Sequence, residues 1–286
     1  MEALLRLMKN CGAADAGAVP LAALLPRMSA AARRRAEAEL PQVGSLLVGV
    51  FPYFTDFQPG DIALYARGMD YHIALNNRLA AAARQMARDC PGKAFKVYVD
   101  ASPYPEVLAA ALSGLGALGR NGLLITPRHG SLVFIGVIAT TVAFGGGGQL
   151  RFCQGCGRCV RACPMGALSD GRPDTMLCLS QLTQLRGALS AAQEAAIAQN
   201  GMVWGCDACQ KACPMNRDLP VTDIPEFRSD LIRNFPPEDA GLTQRAFREK
   251  YADRAFSWRG VGPLRRNVRI LGEPSATKGY FFKNTP

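Results

Sequence analysis

Apolar and polar positions along the first half of the chain follow the periods of strands and helices in turn. The run "SLLVGVFPYF" at 45–54 is apolar after its first residue, which is typical of a buried strand. The segment "AFKVYVD" at 94–100 alternates and predicts a strand that ends at Asp100. Between them, apolar residues at helical spacing predict a helix from about Asp61 to Cys90. "GLLITP" and "SLVFIGVIATT" predict two further strands, joined by a polar turn at Arg128–Gly130.

The remaining pattern predicts an α+β protein with three parts. The first 40 residues predict two helices with a proline-containing loop between them, and "YPEVLAAALSGLG" predicts a short helix. Residues 1–144 are therefore predicted to form an α/β or α+β domain. The segment "GGGGQ" at 145–149 predicts a flexible joint that opens a cysteine module at 145–220. Residues 221–286 predict a short, helical and basic C-terminal region.

The amino-acid composition indicates an anionic binding partner. The formal net charge is +10, which favours nucleic acid as a partner. Two basic clusters, at 32–40 and 256–270, are either solvated helix faces or phosphate-binding surfaces. The longest apolar stretch is interrupted by Gly and Thr, which predicts strands and no membrane contact. The N-terminus lacks a long apolar run, so we expect no signal peptide and a cytoplasmic protein.

Eight of the ten cysteines fall between Cys153 and Cys213. The first four form C-x2-C-x2-C-x3-C-P, the bacterial ferredoxin run for a [4Fe–4S] cluster, whose fourth cysteine serves the other cluster in two-cluster proteins. The second run lacks its first cysteine, and Cys178 is the substitute. The predicted ligands of cluster one are Cys153, Cys156, Cys159 and Cys213, and those of cluster two are Cys163, Cys178, Cys206 and Cys209.

Two other interpretations of these motifs have to be weighed. C-x2-C pairs also occur in zinc ribbons, but the two Cys-Pro endings and the closed count of eight favour iron–sulfur clusters. Cys11 and Cys90 are left over as ordinary free thiols. "GLGALG" at 114–119 matches a dinucleotide-binding fingerprint, yet a helix precedes it and a strand follows. That inverted context predicts a tight turn or a close backbone approach instead of a nucleotide site.

Several short segments in a fixed order resemble the cobalamin-dependent epoxyqueuosine reductases. The resemblance runs from about Tyr65 to Asn216. It departs from the family at Arg120, where the family has Lys, and at Met215, where the family has Trp. The segments that carry it are "YARGMDYH" at 65–72, "VDASPYPE" at 99–106, "GLGALGRNGLLI" at 114–125, "HGSLVFIGVI" at 129–138, "CLSQLT" at 178–183 and "GCDACQKACPMN" at 205–216.

The resemblance implies that the N-terminal domain binds base-off cobalamin and that the clusters deliver electrons to it. The family's catalytic aspartate falls on Asp100, whose expected role is general acid, since a carboxyl group shielded by the corrin would have a raised pKa and could hold a proton. The residue-level alternative for Asp100 is a helix cap. Tyr71 and His72 match an element near the cofactor or substrate, and Gly136 and Ser180 lie in segments that line the corrin in the family. The implied partners are the anticodon loop of tRNA and an external donor such as ferredoxin or flavodoxin.

Two alternatives to this function remain open on the sequence. The chain is predicted to be shorter than the family at both ends. That favours a reductase of the same architecture acting on a small molecule, as reductive dehalogenases do. A non-enzymatic two-cluster electron carrier is the other alternative, although it does not explain the large N-terminal domain.

Overall fold

An antiparallel sheet forms the centre of the N-terminal half. The computed structural model describes residues 1–168 and 173–272, so the last fourteen residues of the predicted C-terminal region lie outside the described residues. The strands are β1 (Asp15–Pro20), β2 (Ser45–Pro52), β3 (Phe95–Tyr98), β4 (Ala117–Leu118), β5 (Leu124–Ile125) and β6 (Val133–Thr140). The helices are α1 (Glu2–Asn10), α2 (Leu21–Leu24), α3 (Ala30–Glu39), α4 (Tyr71–Asp89), α5 (Glu106–Leu112), α6 (Arg158–Ala162), α7 (Leu179–Gln184), α8 (Ala191–Asn200), α9 (Ala208–Lys211), α10 (Pro225–Arg228), α11 (Gln244–Lys250) and α12 (Val261–Leu271).

The sheet order is β1-β2-β6-β3, and all three pairings are antiparallel. The α+β class is therefore confirmed, and the α/β alternative for the first domain is not needed. Every residue of β2 is buried, because its two faces pack against different cores. Leu47 and Phe51 join the core under α1 and α4, whereas Leu46 and Val48 join the core under α5. This alternation follows the two-residue period of a strand.

Three elements differ from the sequence prediction. Strand β1 is not predicted from the sequence, because it is short and its residues are small. In the structure it pairs with β2 along its whole length. The long helix begins at Tyr71 instead of Asp61, because the Asp70 side chain caps it by accepting the His72 amide. The "GLLIT" strand pairs with β4 in a separate two-stranded sheet. That small sheet lies beside the cysteine module instead of extending the main one.

A third apolar core crosses the predicted domain boundaries. Ile62 and Ala66 of the N-terminal half pack with Trp204 of the cysteine module and with Phe235 and Phe247 of the C-terminal region. The "GGGGQ" segment also contacts the first domain, because the Gly148 amide donates to the Leu112 carbonyl at 2.7 Å. The cysteine module therefore contacts both the N-terminal half and the C-terminal region.

The basic cluster at 256–270 is partly structural. Arg266 is buried, and its guanidinium donates to the carbonyls of Leu182, Leu185 and Gly187. Arg265 donates to two carbonyls before α11. Neither of the two sequence interpretations therefore holds for Arg266, which ties the C-terminal helix to the end of α7. Arg265 is exposed and ties the same helix to the segment before α11. Within the described residues, no helix has the length and apolar character needed to cross a membrane.

Candidate functional site

Two cavities in the described structure are each lined by four cysteines. The first has an empty volume of about 1060 Å³ and contains Cys153, Cys156, Cys159 and Cys213. The second is larger, about 1420 Å³, and contains Cys163, Cys178, Cys206 and Cys209. These sets coincide with the two ligand groups that the spacing predicts. In each run the cysteine before proline faces the cavity of the other run.

The first cysteine loop is held by the small sheet. The Leu118 amide donates to the Arg151 carbonyl at 2.8 Å, and the Cys153 amide donates to the Leu118 carbonyl at 3.0 Å. Gly155 and Gly157 have φ of 68° and 74°, a left-handed conformation that glycine adopts without strain. These two turns wrap the loop around its cavity and bring it to the start of α6.

Within each of the two cysteine groups, neighbouring thiols raise the pKa of one member. Burial raises the pKa of Cys213, and the thiols of Cys156, Cys159 and Cys153 raise it further. Burial also raises the pKa of Cys206 to about 11, with contributions from Cys178 and Cys163. The pKa values of Cys213 and Cys206 are therefore each raised by cysteines of the same predicted ligand group.

A single zinc ion does not fit this arrangement. Zinc holds its ligands at about 2.3 Å, so four thiols around one ion lie within a few ångströms of each other. Among the residues that the structure describes, no three Cys, His, Asp or Glu side chains converge in that way. Four thiols spread around an open cavity suit a larger group such as a [4Fe–4S] cluster.

A buried polar network anchors the second cysteine run to the sheet. The Asn216 side chain accepts the Ser131 amide at 2.7 Å and donates to the Gln210 carbonyl at 2.8 Å. Gln210 in turn donates to the Ser131 carbonyl and to Tyr53. A side chain at Gly130 would overlap the Asn216 amide, so this position requires glycine. The network fixes the end of "ACPMN" just before β6 begins.

Asp100 lies at the mouth of the second cavity, directly after β3. Its φ is +63°, a left-handed conformation that is rare for residues other than glycine and tolerated by Asp and Asn. Tyr71 donates to its carboxylate at 2.9 Å, and the Nε2 atom of His72 lies 3.4 Å away. The other ring nitrogen of His72 lies 2.8 Å from Asp70. The capping alternative for Asp100 is wrong, because α5 begins at Glu106 with no side-chain cap.

The charges in this group differ from the sequence expectation. Hydrogen bonds from His72, and then from Tyr71, lower the pKa of Asp100 below its ordinary value, whereas the raised pKa that the resemblance implies is that of a carboxyl group shielded by the corrin. Hydrogen bonds to Asp100 and Asp70 raise the pKa of His72 to about 9. At neutral pH the pair is therefore a carboxylate and an imidazolium, and His72 carries the proton.

Glu106 also belongs to this group, although it is not among the site residues predicted from the sequence. Its Oε2 atom accepts the Asp100 amide at 3.2 Å, which supports the left-handed turn. Its Oε1 atom is buried and has no hydrogen-bond partner. Burial raises the pKa of Glu106 to about 7. The "DASPYPE" spacing was the available signal, since it brings a carboxyl group back to the Asp100 backbone.

The second cavity has the walls expected for a large and mostly apolar cofactor. Tyr53, Tyr65, Tyr71 and Phe134 line it together with Ser180, which is where the sequence placed that residue. Gly136 is not among the lining residues. It lies in β6, where an added Cβ would meet Leu79 of α4 at 2.6 Å, so its place is against the helix.

No imidazole lines the second cavity. The chain has two histidines, both described, and neither is among the lining residues. His72 lies behind Asp100, and His129 lies in the turn before β6. This fits the base-off cobalamin that the resemblance implies, for which no displacing histidine is needed.

Comparisons with known families cover both halves of this site. Residues 33–101 match the family described as epoxyqueuosine reductase QueG, DUF1730, and residues 152–216 match the 4Fe-4S double cluster binding domain. The epoxyqueuosine reductase of Listeria monocytogenes is 34% identical over 216 residues, which is 74% of this chain and 56% of that protein. The enzyme of Synechocystis sp. is 32% identical over 244 residues, covering 80% of this chain and 83% of that protein.

This chain spans little more than half the length of several relatives that it matches. The share is 56% for the Listeria protein, 62% for that of Lactococcus garvieae and 53% for that of Bacillus cereus.

Solved structures show the same fold. The epoxyqueuosine reductase of Streptococcus thermophilus superposes with a TM-score of 0.78 at 24% identity, covering 94% of this chain and 80% of that one. An epoxyqueuosine reductase bound to an epoxyqueuosine-modified tRNA stem loop gives 0.81 at 23% identity, with the same coverage of both chains. The sequence relatives establish descent and these structures establish the fold. The predicted resemblance is confirmed, and the chain belongs to the epoxyqueuosine reductase family.

Proposed function

We propose that this protein reduces epoxyqueuosine in the anticodon loop of a tRNA to queuosine, using two [4Fe–4S] clusters and cobalamin. The observation that carries this proposal is the second cavity. One set of four cysteines and the Asp100, Tyr71 and His72 group open into the same space. An electron carrier alone has no use for a proton-holding group beside its cluster.

The ligand sets of the proposal are the two cysteine groups that line the cavities. Cys153, Cys156, Cys159 and Cys213 hold cluster one, and Cys163, Cys178, Cys206 and Cys209 hold cluster two. When bound, cobalamin supplies the strongly reducing centre to which the clusters pass electrons. Its place is the rest of the second cavity, where aromatic walls provide apolar contact and Ser131, Ser180 and Asn121 provide polar contact.

The reaction sets the task of the protein's own residues. Converting an epoxide to an alkene takes two electrons and two protons, and the oxygen leaves as water. His72 and Asp100 are hydrogen-bonded partners that hold one proton at neutral pH. Glu106 holds the Asp100 backbone, and its pKa of about 7 places a second proton next to that turn. Because Asp100 is ionised, the proton that its carboxylate passes on comes from His72, which remains protonated up to about pH 9 and becomes a neutral imidazole when it gives the proton up.

The test of this function is conversion of an epoxyqueuosine-modified stem-loop RNA by the anaerobically reconstituted protein. We expect queuosine to form only when iron, cobalamin and a reductant are all present. Binding of the stem loop should weaken steeply as salt rises, because cations on the protein displace counterions from phosphates. An unmodified stem loop serves as the control for binding without turnover. Cluster and cobalamin loading without conversion, together with salt-independent binding, would contradict the RNA substrate.

The protonation of His72 predicts a pH dependence of stability. Its pKa is raised from 6.5 to about 9 on folding, so its bonds to Asp70 and Asp100 stabilise fully below about pH 6.5 and are lost as pH rises through about 9. His72→Gln should therefore lower the melting temperature at about pH 6 and have little effect at about pH 10. Thermal unfolding of the two proteins without cofactors measures this difference. An equal loss at both pH values would show that His72 contributes through packing and not through its charge.

A further inference from the structure

We propose that an acidic ferredoxin docks on the surface around Cys156 and delivers single electrons there. This surface, the cluster-one face, consists of Arg120, Arg151, Phe152, Arg158 and Met215. The inference rests on the proposed function in one respect only, namely that the first cavity holds a [4Fe–4S] cluster. The family resemblance implies an external donor such as ferredoxin or flavodoxin. The inference adds the surface on which the donor docks and the residues at which electrons enter.

Exposure places the entry point at the first cavity. Cys156 is the exposed member of the eight cluster cysteines, and the other seven are partly buried. Cys206 and Cys209 are partly buried and line the second cavity together with Asp100. Electron transfer slows steeply with distance, so a protein donor reaches the first cluster more readily. The second cluster then passes electrons on toward Asp100 and its cavity.

Two apolar side chains stand in solvent beside this opening. Phe152 is 67% exposed and Met215 is 40% exposed, and both line the first cavity. Large apolar side chains that rim a functional opening in this way mark a contact for another molecule. They are close enough to the cysteines that a partner covering them would also cover Cys156.

The charged side chains that line the opening are all positive. Arg120 and Arg151 line the cavity itself, and no Asp or Glu is among its lining residues. Arg158 begins α6 two residues after Cys156 and is exposed. Across residues 1–168 and 173–272, no carboxylate lies within ion-pairing distance of any of these three arginines. Their charge is therefore free to attract an acidic surface.

An apolar centre surrounded by positive charges is suited to a transient electron-transfer complex. Such interfaces are small, and their association rates depend on charge steering. In the transfer step, reduced ferredoxin loses one electron and the cluster in the first cavity gains it, with no atom or proton exchanged. RNA is the competing partner for a basic surface. We favour ferredoxin because the first cavity offers cysteines but no Asp100-like group for an RNA nucleotide.

The test compares two double charge reversals with the same change in net charge. Arg151→Glu with Arg158→Glu alters the cluster-one face. Arg34→Glu with Arg84→Glu alters exposed positions of α3 and α4 that make no described side-chain bond. Reduced plant-type ferredoxin is mixed anaerobically with each reconstituted protein, and bleaching of the cluster absorbance is followed by stopped flow. Dithionite is the control reductant.

We expect the first variant to be reduced by ferredoxin about tenfold more slowly or worse at low salt, and the second to match the unaltered protein. Dithionite should reduce all three alike. Equal ferredoxin rates, or loss of stem-loop RNA binding in the first variant with ferredoxin reduction unchanged, would overturn the proposal. If the first variant takes up no clusters, the test is the salt dependence of the rate at which ferredoxin reduces the unaltered protein. A rate that does not fall as salt rises would overturn the proposal. The ferredoxin and dithionite reactions contain no cobalamin and no RNA, so failure of the proposed substrate leaves their result standing.

Discussion

Replacing Asp100 with asparagine is expected to lower the rate of epoxyqueuosine reduction by about a thousandfold, within the range that a positioned acid–base group contributes. The carboxylate is the acceptor of both the Tyr71 hydroxyl and the His72 imidazole at the mouth of the second cavity. An amide cannot accept and pass on a proton at neutral pH, so the route from His72 is interrupted. Single-turnover conversion of the modified stem loop measures the loss.

Asparagine is the right substitution because of the backbone. Asp100 has φ of +63°, and Asn adopts this conformation about as readily as Asp, whereas other side chains would strain the turn. Iron and cobalamin content should therefore remain at the level of the unaltered protein. Asp89→Asn, at the exposed end of α4, is the matched control and should keep full activity. An active Asp100→Asn protein would exclude proton transfer through this carboxylate.

Replacing Cys178 with serine is expected to remove one cluster and leave the other. Cys178 stands outside both cysteine runs but lines the second cavity with Cys163, Cys206 and Cys209. A serine oxygen is a poorer ligand for iron than a thiolate, and a [4Fe–4S] cluster needs four ligands. Iron should fall from about eight to about four atoms per chain, and turnover should cease because the remaining cluster is the more distant one.

Iron analysis and the electron paramagnetic resonance of the reduced protein check this result. Cys90→Ser is the matched control, because Cys90 lies at the end of α4, far along the chain from either run, and lines neither cavity. It should bind the full complement of iron. Unchanged iron in Cys178→Ser would show that another residue completes the second site, and the ligand assignment would then be wrong.

Much of the fold follows from periodicity alone. Strand β2 is apolar after Ser45 and is buried on both faces, and β3 ends at Tyr98, two residues before Asp100. Strand β1 could not be found in this way. Its residues are small, and it is a strand because β2 offers it a full antiparallel partner. The start of α4 likewise depends on one capping contact from Asp70, which the apolar spacing upstream of it conceals.

The basic clusters illustrate the limit of charge patterns. Arg266 belongs to a run that suggests a phosphate-binding surface, yet it is buried and satisfies carbonyls at the end of α7. Arg120, Arg151 and Arg158 are scattered along the chain and form no run. Folding brings them to one opening beside Cys156. A count of nearby charges in the sequence cannot distinguish these two outcomes, because it contains no information about what surrounds each guanidinium.

The sequence by itself determined the cysteine chemistry, since ligand type and spacing within a short loop are local properties that survive any arrangement of the rest. The order of motifs around Asp100 also singled it out as the candidate catalytic residue, and that role remains a prediction. Only the tertiary structure decided the charges at the site. Asp100, His72 and Glu106 come from three different elements, and their pKa values depend on distances of about 3 Å and on burial that no linear pattern encodes. These shifts place the proton on His72 and leave Asp100 ionised, whereas the expectation from the sequence concerned a carboxyl group shielded by the corrin.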